Sequence, residues 1–366
     1  ASPCVPARYT SDASLRGPAK LGRDVYGRVD SGLMCTGRQH RHRQRHAPAP
    51  PPAPAPAPLP HAPHTPMHYN AKLETNPGHA SRGRHPTGSN MTPKMHLYVL
   101  ASGSKGNAAV VDGPQGSVLI DCGISRRELM RRADACGCDL DRVTHVLVTH
   151  EHSDHTRGLP ALSNHFDGEL LATAGTAGGA KPLASLPFTL VTHSETLELD
   201  GMVVTTFPTS HDVADPFGLR FSVLDTDGQI EDSIGWCTDT GYLTAEALGQ
   251  LRGVRILGLE SNHDVQMLAH GPYPAWLRAR VGGDAGHLSN DQAADALPLL
   301  VTQDTETVVA LHLSQKNNRP ATCIRTLAQA MGATVQPDAD GAPEARTPDG
   351  LLTICVASQD EPLAVW

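Results

Sequence analysis

The sequence predicts an α/β (α+β) domain built as an αββα sandwich, in which two β-sheets pack face to face and helices cover their outer surfaces. Two observations on residues 95–366 indicate this fold class: short β-rich runs recur along the segment, and helical stretches separate them, mostly in its second half. A third observation sets where the domain begins, because residues 1–94 have the composition of a disordered, basic, Pro/Ala-rich tail. We therefore expect the folded domain to occupy residues 95–366.

The tail differs from the rest of the chain in both proline content and charge. Of the 30 prolines, 16 lie in residues 1–94, many of them in an alternating Ala/Pro run at 47–60. The tail holds 13 Lys+Arg and 4 Asp+Glu; subtracting these from the chain totals of 30 and 38 leaves 17 and 34 for residues 95–366, a net charge of −17. Such a tail buries too little apolar surface to offset the entropy cost of ordering. We interpret it as a semi-rigid polyproline II spacer, with a basic arm that contacts nucleic acid as the alternative.

The candidate elements of the domain follow the chain in order. Strands are predicted at runs that are mostly rich in Val, Ile, Leu, Thr or Phe, namely 96–100, 108–111, 117–121, 145–149, 202–207, 219–224, 235–238, 255–260 and 308–312. Helices are predicted at 126–136, 244–251, 274–281, 290–300 and 323–331. Ser289 and Gln292 form an S-x-x-Q capping box, so the fourth of these helices should begin at Asn290.

Cysteine spacing and hydropathy indicate the setting in which the protein works. The eight cysteines show no CxxC pair and no regular spacing, and several lie in apolar runs, which predicts buried free thiols rather than disulfides or a Cys-ligated zinc ion. No apolar stretch is long enough for a signal peptide or a transmembrane helix. The sequence therefore predicts a cytoplasmic protein that has no contact with a membrane.

The segment His150-Glu151-His152-Ser153-Asp154-His155 carries the strongest functional signal. It follows the predicted strand 145–149, so its side chains project from a loop at the end of a strand. A lone HxH pattern is weak evidence, but four ligand-type side chains within six residues at such a place indicate a metal site. The two histidines of the HxH can face one ion, and the Asp-His pair can reach a second ion a few ångströms away.

HxHxDH is the metal-binding motif of the metallo-β-lactamase superfamily, and the sequence resembles that superfamily at four further positions. His211, Asp239 and His312 resemble its third-motif histidine, its bridging aspartate and its last histidine. Asp121 resembles an aspartate that steadies the HxHxDH loop from behind the ligands.

The resemblance implies two divalent metal ions that share one carboxylate. The ligands that it implies form two sets around the bridging Asp239: His150, His152 and His211 on one ion, and Asp154, His155 and His312 on the other. Such ions lie about 3.5–4 Å apart and share a water whose pKa falls toward neutrality, so that hydroxide is available as the nucleophile. Zn²⁺ is the expected metal, with Mn²⁺ or Fe as alternatives because phosphodiesterases also use them.

Further segments indicate a nuclease-like branch of the superfamily. The 73 positions from Asp239 to His312 (312 − 239) leave no room for the large inserted domain of the RNase J type. The sequence is similar instead to the smaller WalJ/YycJ family, which is related to RNase Z and RNase J, and the similarity covers nearly all of 95–320. Besides HxHxDH, the segments that carry it are 102–107, 259–264, 286–290 and 312–318.

The resemblance also implies catalytic roles. Glu260 and His287 resemble a pair that RNase Z relatives place near the leaving group, and His287 comes just before a capped helix, where anions bind. We assign both to catalysis together with Asp154 and Asp239. The alternative for His287 is an ordinary surface histidine.

Lys105, Asn107 and His263 are candidate substrate-binding residues. The loop 102–107 resembles a phosphate cradle, but it lacks the GxxxxGK[ST] pattern and a following helix, so a tight turn beside the metal site is the alternative. His263 can contact phosphate, bind metal or simply pack. The segment 272–280, with its aromatic and basic residues, is interpreted either as a lip over the site or as an ordinary amphipathic helix.

These observations predict a metal-dependent phosphodiesterase that acts on nucleic acid, and the WalJ/YycJ resemblance implies a 5′→3′ DNA exonuclease. The net charge of −17 over 95–366 argues against tight duplex binding, because nucleic-acid affinity comes mainly from phosphate neutralisation. We therefore expect transient engagement of a DNA strand end. Two alternatives stay open: a hydrolase of a small or cyclic phosphodiester, which an acidic surface suits better, and a regulatory metal-binding protein in which turnover is incidental.

Overall fold

Residues 5–6, 94–336 and 343–366 are described by the computed structural model of the protein. Nearly all of the predicted tail lies outside these residues, so its disorder stays a prediction. Of the tail, Val5–Pro6 form a short strand that pairs antiparallel with Leu363–Val365.

Seventeen strands lie within the described residues. In chain order they are Val5–Pro6 (β1), His96–Ala101 (β2), Ala108–Asp112 (β3), Ser117–Ile120 (β4), Val143–Leu147 (β5), Glu169–Thr173 (β6), Phe188–Val191 (β7), Thr196–Leu199 (β8), Met202–Pro208 (β9), Phe217–Leu224 (β10), Ile230–Cys237 (β11), Ile256–Glu260 (β12), Thr307–Leu311 (β13), Thr334–Val335 (β14), Glu344–Arg346 (β15), Thr353–Val356 (β16) and Leu363–Val365 (β17).

Nine α-helices accompany them in the same part of the chain. They are Arg126–Cys136 (α1), Ser153–Thr156 (α2), Leu159–Ser163 (α3), Ala174–Gly179 (α4), Ala245–Leu251 (α5), Val265–His270 (α6), Ala275–Val281 (α7), Asn290–Leu300 (α8) and Pro320–Ala330 (α9). None of these described helices is long and apolar enough to cross a lipid bilayer.

The strands form two mixed sheets. The first has the order β1-β17-β2-β3-β4-β5-β6-β7 and the second has the order β14-β15-β16-β13-β12-β11-β10-β9-β8. Strands β4, β5, β6 and β7 run parallel to one another in the first sheet, and β11, β12, β13 and β16 run parallel to one another in the second. Parallel neighbours end at the same edge of a sheet, which brings the loops after β4 and β5, and those after β11 and β13, close to one another.

The alternation of side chains along the strands builds three apolar layers. In β2, Leu97 and Val99 face the second sheet and share a buried cluster with Trp236 of β11. Leu100 points the other way, into a cluster with Leu129 of α1. A third cluster joins the outer face of the second sheet to α5, α8 and α9. The predicted αββα sandwich is therefore confirmed.

The helix ends follow local sequence signals. At α8, the side chain of Ser289 accepts a hydrogen bond from the Gln292 amide at 3.1 Å, and the Gln292 side chain accepts one from the Ser289 amide at 2.8 Å. The predicted capping box and its start at Asn290 are confirmed. Helix α1 is capped by Ser125 and ends at Gly137, whose φ of 74° lies in the left-handed region that glycine adopts without strain.

The predicted elements are all present, with ends that shift by up to five residues, as at β11. The prediction of buried cysteines agrees with five of the six described cysteines, and Cys136 is half-buried. Cys4 and Cys35 lie outside the described residues.

Candidate metal centre

The candidate site lies where the parallel strands of the two sheets end. Asp121 follows β4 and the HxHxDH segment follows β5; in the second sheet Asp239 follows β11, Glu260 is the last residue of β12, and His312 follows β13. His211 lies on the loop between β9 and β10. Residues from both sheets therefore meet in one cluster.

Three of these residues have a strained backbone. Asp121, Asp239 and His312 have φ angles of 59°, 55° and 55°, in the left-handed region that non-glycine residues rarely occupy. Each such residue costs of order 1–3 kcal/mol and persists only when its surroundings hold it there. Their concentration at this one cluster marks it as a functional site.

The first predicted ligand set, His150, His152 and His211, is brought together in the structure. One nitrogen from each of these rings lies within 4.8 Å of the others. His152 Nδ1 and His211 Nε2 are 3.2 Å apart. This spacing matches three imidazoles that face a common point.

The second predicted set, Asp154, His155 and His312, is also brought together. Asp154 Oδ2 lies 3.4 Å from His312 Nε2 and 3.7 Å from His155 Nε2. The three ligand atoms again lie within 4.8 Å of one another.

Asp239 lies between the two sets. Its Oδ2 is 3.2 Å from His155 Nε2, in the second set, and its Oδ1 is 3.8 Å from His211 Nε2, in the first. Burial alone would raise the pKa of Asp239, but attraction to His312 and His155 outweighs it and holds the pKa well below its usual value. A buried, ionised carboxylate therefore reaches both halves of the site.

Four of the histidines are oriented by a hydrogen bond on Nδ1. The Nδ1 partners are Thr149 Oγ1 for His150 (3.1 Å), Asp121 Oδ2 for His155 (2.7 Å), the Gly286 carbonyl for His211 (2.9 Å) and Glu260 Oε1 for His312 (3.0 Å). Such partners fix the tautomer and leave Nε2 as the metal-binding atom.

Asp121 has the supporting position that the resemblance implied. Besides His155, it accepts hydrogen bonds from the amide and the hydroxyl of Thr149, both at 2.8 Å. Thr149 directly precedes His150, so one buried carboxylate fixes both ends of the HxHxDH segment.

Unpaired polar atoms test whether the cluster fits metal ions. His150 is buried, burial holds its pKa well below its usual value, and its Nε2 has no hydrogen-bond partner among the described residues. Asp239 Oδ2 also lacks a hydrogen bond of good geometry there, despite its proximity to His155. A neutral imidazole and a carboxylate, buried with free lone pairs, are ligands that divalent cations take, so the residues present fit a metal centre.

Glu260 and His287 form the predicted pair. Glu260 is fully buried, and its Oε1 lies 2.8 Å from His287 Nδ1. Its Oε2 accepts the amides of Thr240 and Leu288 at 2.9 and 3.2 Å. Burial would raise the pKa of Glu260, but the neighbouring His287 lowers it to about 2.

Sequence reasoning missed the contact between Glu260 and His312. The same Oε1 that holds His287 also lies 3.0 Å from His312 Nδ1. One carboxylate therefore orients a candidate metal ligand and the candidate acid together. In the sequence, Glu260 and His312 belong to two separate motifs, and nothing in either motif indicates that the two side chains meet.

A cleft opens over the cluster. Its lining comes from the loop after β2, the HxHxDH segment, the loop between β9 and β10, the loops after β12 and β13, and the segment around α7. These residues are Ser104, His152, His211, Asp212, Asn262, Tyr273, Leu277, Arg280, Val281, Gly286, His287 and Ser314. The segment 272–280 does border the site, as the lip interpretation predicted. Arg280 forms an ion pair with Asp212 at this border.

The three predicted substrate-binding residues do not line this cleft. Asn107 is 2% exposed, and its amide nitrogen lies 2.9 Å from His155 Nε2 and 3.4 Å from Asp154 Oδ2. His263 is buried, and burial lowers its pKa to about 4. Lys105 is exposed and follows Ser104, which does line the cleft. This placement favours positioning roles for Asn107 and His263, and direct contact of any of the three with substrate stays a prediction.

The close approach of Gly123 to the HxHxDH segment gives a first testable prediction. A Cβ atom at Gly123 would lie 1.6 Å from the Asp154 carbonyl oxygen, so Gly123→Ala must displace the Asp154 backbone. We expect a loss of metal affinity and a destabilisation of about 1–3 kcal/mol, as for other overpacked sites. Metal titration and thermal unfolding measure the two effects.

Gly249→Ala is the matched control, because Gly249 lies inside α5 and a Cβ there would meet nothing within 4 Å. This variant should keep its metal affinity and gain up to about 1 kcal/mol of helix stability. Unchanged metal affinity and melting temperature in Gly123→Ala would contradict the contact.

Comparison with known proteins identifies the family. A family model described as "Beta-lactamase superfamily domain" matches residues 117–313, more than half of the chain. The chain belongs to the metallo-β-lactamase superfamily. Members of this superfamily are metal-dependent hydrolases, so the protein is an enzyme of that kind, and the clusters described above fit its divalent metal centre.

Two relatives refine the assignment. The chain is 32% identical over 228 residues to the exodeoxyribonuclease YycJ of Bacillus anthracis, covering 61% of this chain and 84% of that protein. It is 29% identical over 242 residues to the exodeoxyribonuclease WalJ of Streptococcus pneumoniae serotype 2, covering 63% and 88%. A solved diphosphatase of the PhnP family is 20% identical with a TM-score of 0.48, covering 74% of this chain and 97% of that structure. The predicted WalJ/YycJ membership is confirmed.

Proposed function

We propose that this metal-dependent phosphodiesterase is a nuclease that degrades DNA from a strand end in the 5′→3′ direction. The observation that carries the proposal is the position of Asp239 between two ligand sets, with the Glu260–His287 pair beside them at the cleft. The two relatives named exodeoxyribonucleases support the choice of DNA as substrate.

In this proposal the seven clustered side chains hold two divalent cations. The two sets are His150, His152 and His211, and Asp154, His155 and His312, with Asp239 shared between them. When bound, the ions would supply a water of lowered pKa as the nucleophile and would neutralise charge on the phosphodiester. Imidazole-rich ligation favours Zn²⁺, with Mn²⁺ or Fe as alternatives.

His287 is proposed to protonate the leaving oxygen. Its Nδ1 is held by Glu260, so Nε2 is the nitrogen that can face a substrate in the cleft. Glu260 stabilises the protonated imidazole and fixes its orientation, because its own pKa of about 2 keeps it ionised. Asp154 contributes through the second ligand set, where it lies 3.4 Å from His312 Nε2.

The negative charge of the domain favours a second candidate, the hydrolysis of a small or cyclic phosphodiester. Residues 95–366 hold 17 Lys+Arg and 34 Asp+Glu, so the domain repels a long polyanion and disfavours its stable binding. A strand end that binds briefly is compatible with this charge, and so is a small substrate.

One substrate panel separates the two candidates. The purified protein is analysed for metal and then tested on 5′-labelled single-stranded DNA, cyclic nucleotides and bis-p-nitrophenyl phosphate. We expect two metal ions per chain and release of the 5′ label as short products. Turnover of cyclic nucleotides without any cleavage of DNA would favour the small-substrate candidate.

Metal removal provides a further prediction. Prolonged chelation should abolish turnover of every substrate in the panel, and Zn²⁺ or Mn²⁺ should restore it, because the proposed nucleophile depends on the ions. The midpoint of thermal unfolding should also fall on chelation, since the buried ligands lose their partner. Full activity after verified metal removal would contradict the proposal.

A further inference from the structure

One wall of the cleft is formed by α7 and the residues just before it. Tyr273, Leu277 and Arg280 line the cleft from this side. Helix α7 has no buried residue, and Trp276 within it is 67% exposed, more than any other large hydrophobic side chain in the described part of the chain. Exposed tryptophan beside a catalytic cleft is characteristic of a binding surface.

Trp276 and Arg280 are neighbours on the helix surface because they are four positions apart. Arg280 is half-exposed, and its Nε pairs with the Asp212 carboxylate. Its two Nη groups have no hydrogen-bond partner among the described residues, so a phosphate could bind them while the pair with Asp212 remains. Arg278 donates a 3.0 Å hydrogen bond to the Tyr273 carbonyl and so holds the segment before α7 against the helix.

Two lysines lie close in sequence to other residues that line the cleft. Lys105 follows Ser104, and Lys316 lies two positions after Ser314; both serines line the cleft and both lysines are exposed. In a domain with net charge −17, these two lysines and the free Nη groups of Arg280 are positive groups near the cleft that can pair with a polyanion.

We propose that the α7 wall, defined as Tyr273, Trp276, Leu277 and Arg280, binds single-stranded nucleic acid next to the bond that is cleaved. A base stacks on Trp276, and Arg280 binds a backbone phosphate. This inference rests on the proposed nuclease function and adds the part of the protein that holds the strand. Stacking on one aromatic ring tolerates any base and gives modest affinity, which agrees with brief engagement of a strand.

The test compares binding with turnover. Binding is read from tryptophan fluorescence when a short oligothymidylate with phosphorothioate linkages, which resist cleavage, is added to the metal-loaded full-length protein. Of the three tryptophans, Trp236 is buried, and the half-buried Trp366 packs against His96 and Tyr98, at the end of β2 away from the cleft. Saturable quenching should therefore come mainly from Trp276 and should be lost in Trp276→Phe. Trp276→Ala should raise the KM for single-stranded DNA by about 5- to 150-fold and leave hydrolysis of bis-p-nitrophenyl phosphate within about twofold. Trp276→Phe, which still stacks, should keep most of the affinity for DNA.

Matched controls remove exposed groups elsewhere. Leu351→Ala removes a side chain that is 63% exposed, and Arg325→Gln removes a charge from an exposed position of α9; neither should change the KM for DNA. Arg280→Gln, in contrast, should raise the KM for DNA and make that KM less dependent on salt concentration.

Two results would overturn the inference. One is that the oligothymidylate does not quench the tryptophan fluorescence; the other is that Trp276→Ala lowers kcat/KM equally for DNA and for bis-p-nitrophenyl phosphate. A wild-type protein that binds and quenches but cleaves no nucleic acid would instead refute the proposed function alone.

Discussion

Asp239→Asn is expected to abolish most phosphodiesterase activity while the fold survives. Asp239 reaches a histidine of each ligand set, at 3.2 and 3.8 Å, so its loss weakens both halves of the proposed centre. The loss of activity should exceed the roughly 10–100-fold loss that follows substitution of a residue that only hydrogen-bonds to a metal ligand. The fold should survive because Asp239 has a φ of 55°, and asparagine adopts this left-handed conformation readily.

Metal content and turnover are measured together on the Asp239→Asn protein. Asp200→Asn is the matched control: Asp200 also has a left-handed backbone, with a φ of 54°, but its carboxylate lies 3.1 Å from His145 and belongs to neither ligand set. It should retain two metal ions and most of the activity. Two bound ions and near-normal turnover in Asp239→Asn would show that the carboxylate does not bridge.

The fold was predictable where apolar residues repeat strongly. Strand β10 and helix α8 bury a regular face and were recognised from the sequence. Strands β7 and β8 were not, because Phe188–Val191 and Thr196–Leu199 are four-residue edge strands that are largely exposed, and the alternation of β8 rests on only two leucines. Strands β14 and β17, of two and three residues, are too short to carry any period.

The loop 102–107 illustrates how a local pattern leaves two readings open. In the structure the amide of Gly106 donates to the Gly103 carbonyl at 3.0 Å, which closes the tight turn that was one alternative. The Asn107 side chain then turns toward His155 rather than toward solvent. Spacing alone could not give this direction, because it depends on where the HxHxDH segment lies in space.

The candidate site was predictable as far as its motifs are local. Four ligand-type residues in HxHxDH are adjacent in sequence, but the contact of Glu260 with His312 joins positions 52 residues apart. It follows from the parallel register of β12 and β13, in which Glu260 pairs with Leu311, so that His312 comes next to the carboxylate. Strand register of this kind is set by tertiary packing and cannot be read from either motif.

His287→Ala is expected to slow DNA cleavage by about 10²–10⁴-fold while affecting bis-p-nitrophenyl phosphate far less. A deoxyribose oxygen leaves poorly without a proton, whereas p-nitrophenolate departs almost unaided. His287 lies at the cleft with its Nδ1 on Glu260, and the proposed ligand set is complete without it, so metal content should stay at two ions. Added imidazole should restore part of the DNA cleavage.

Glu260→Gln separates the two contacts of Glu260 and serves as the comparison for His287→Ala. It leaves the His287 imidazole in place but weakens its orientation, so loss of DNA cleavage should be smaller than in His287→Ala if that contact alone matters. Because Glu260 also holds His312, the same variant should in addition lower metal affinity, by roughly 10–100-fold, and so slow both substrates at limiting metal. Saturating metal should then leave only the defect on DNA. If His287→Ala itself loses metal, or slows both substrates equally at saturating metal, His287 is a ligand or a binding group and not the acid.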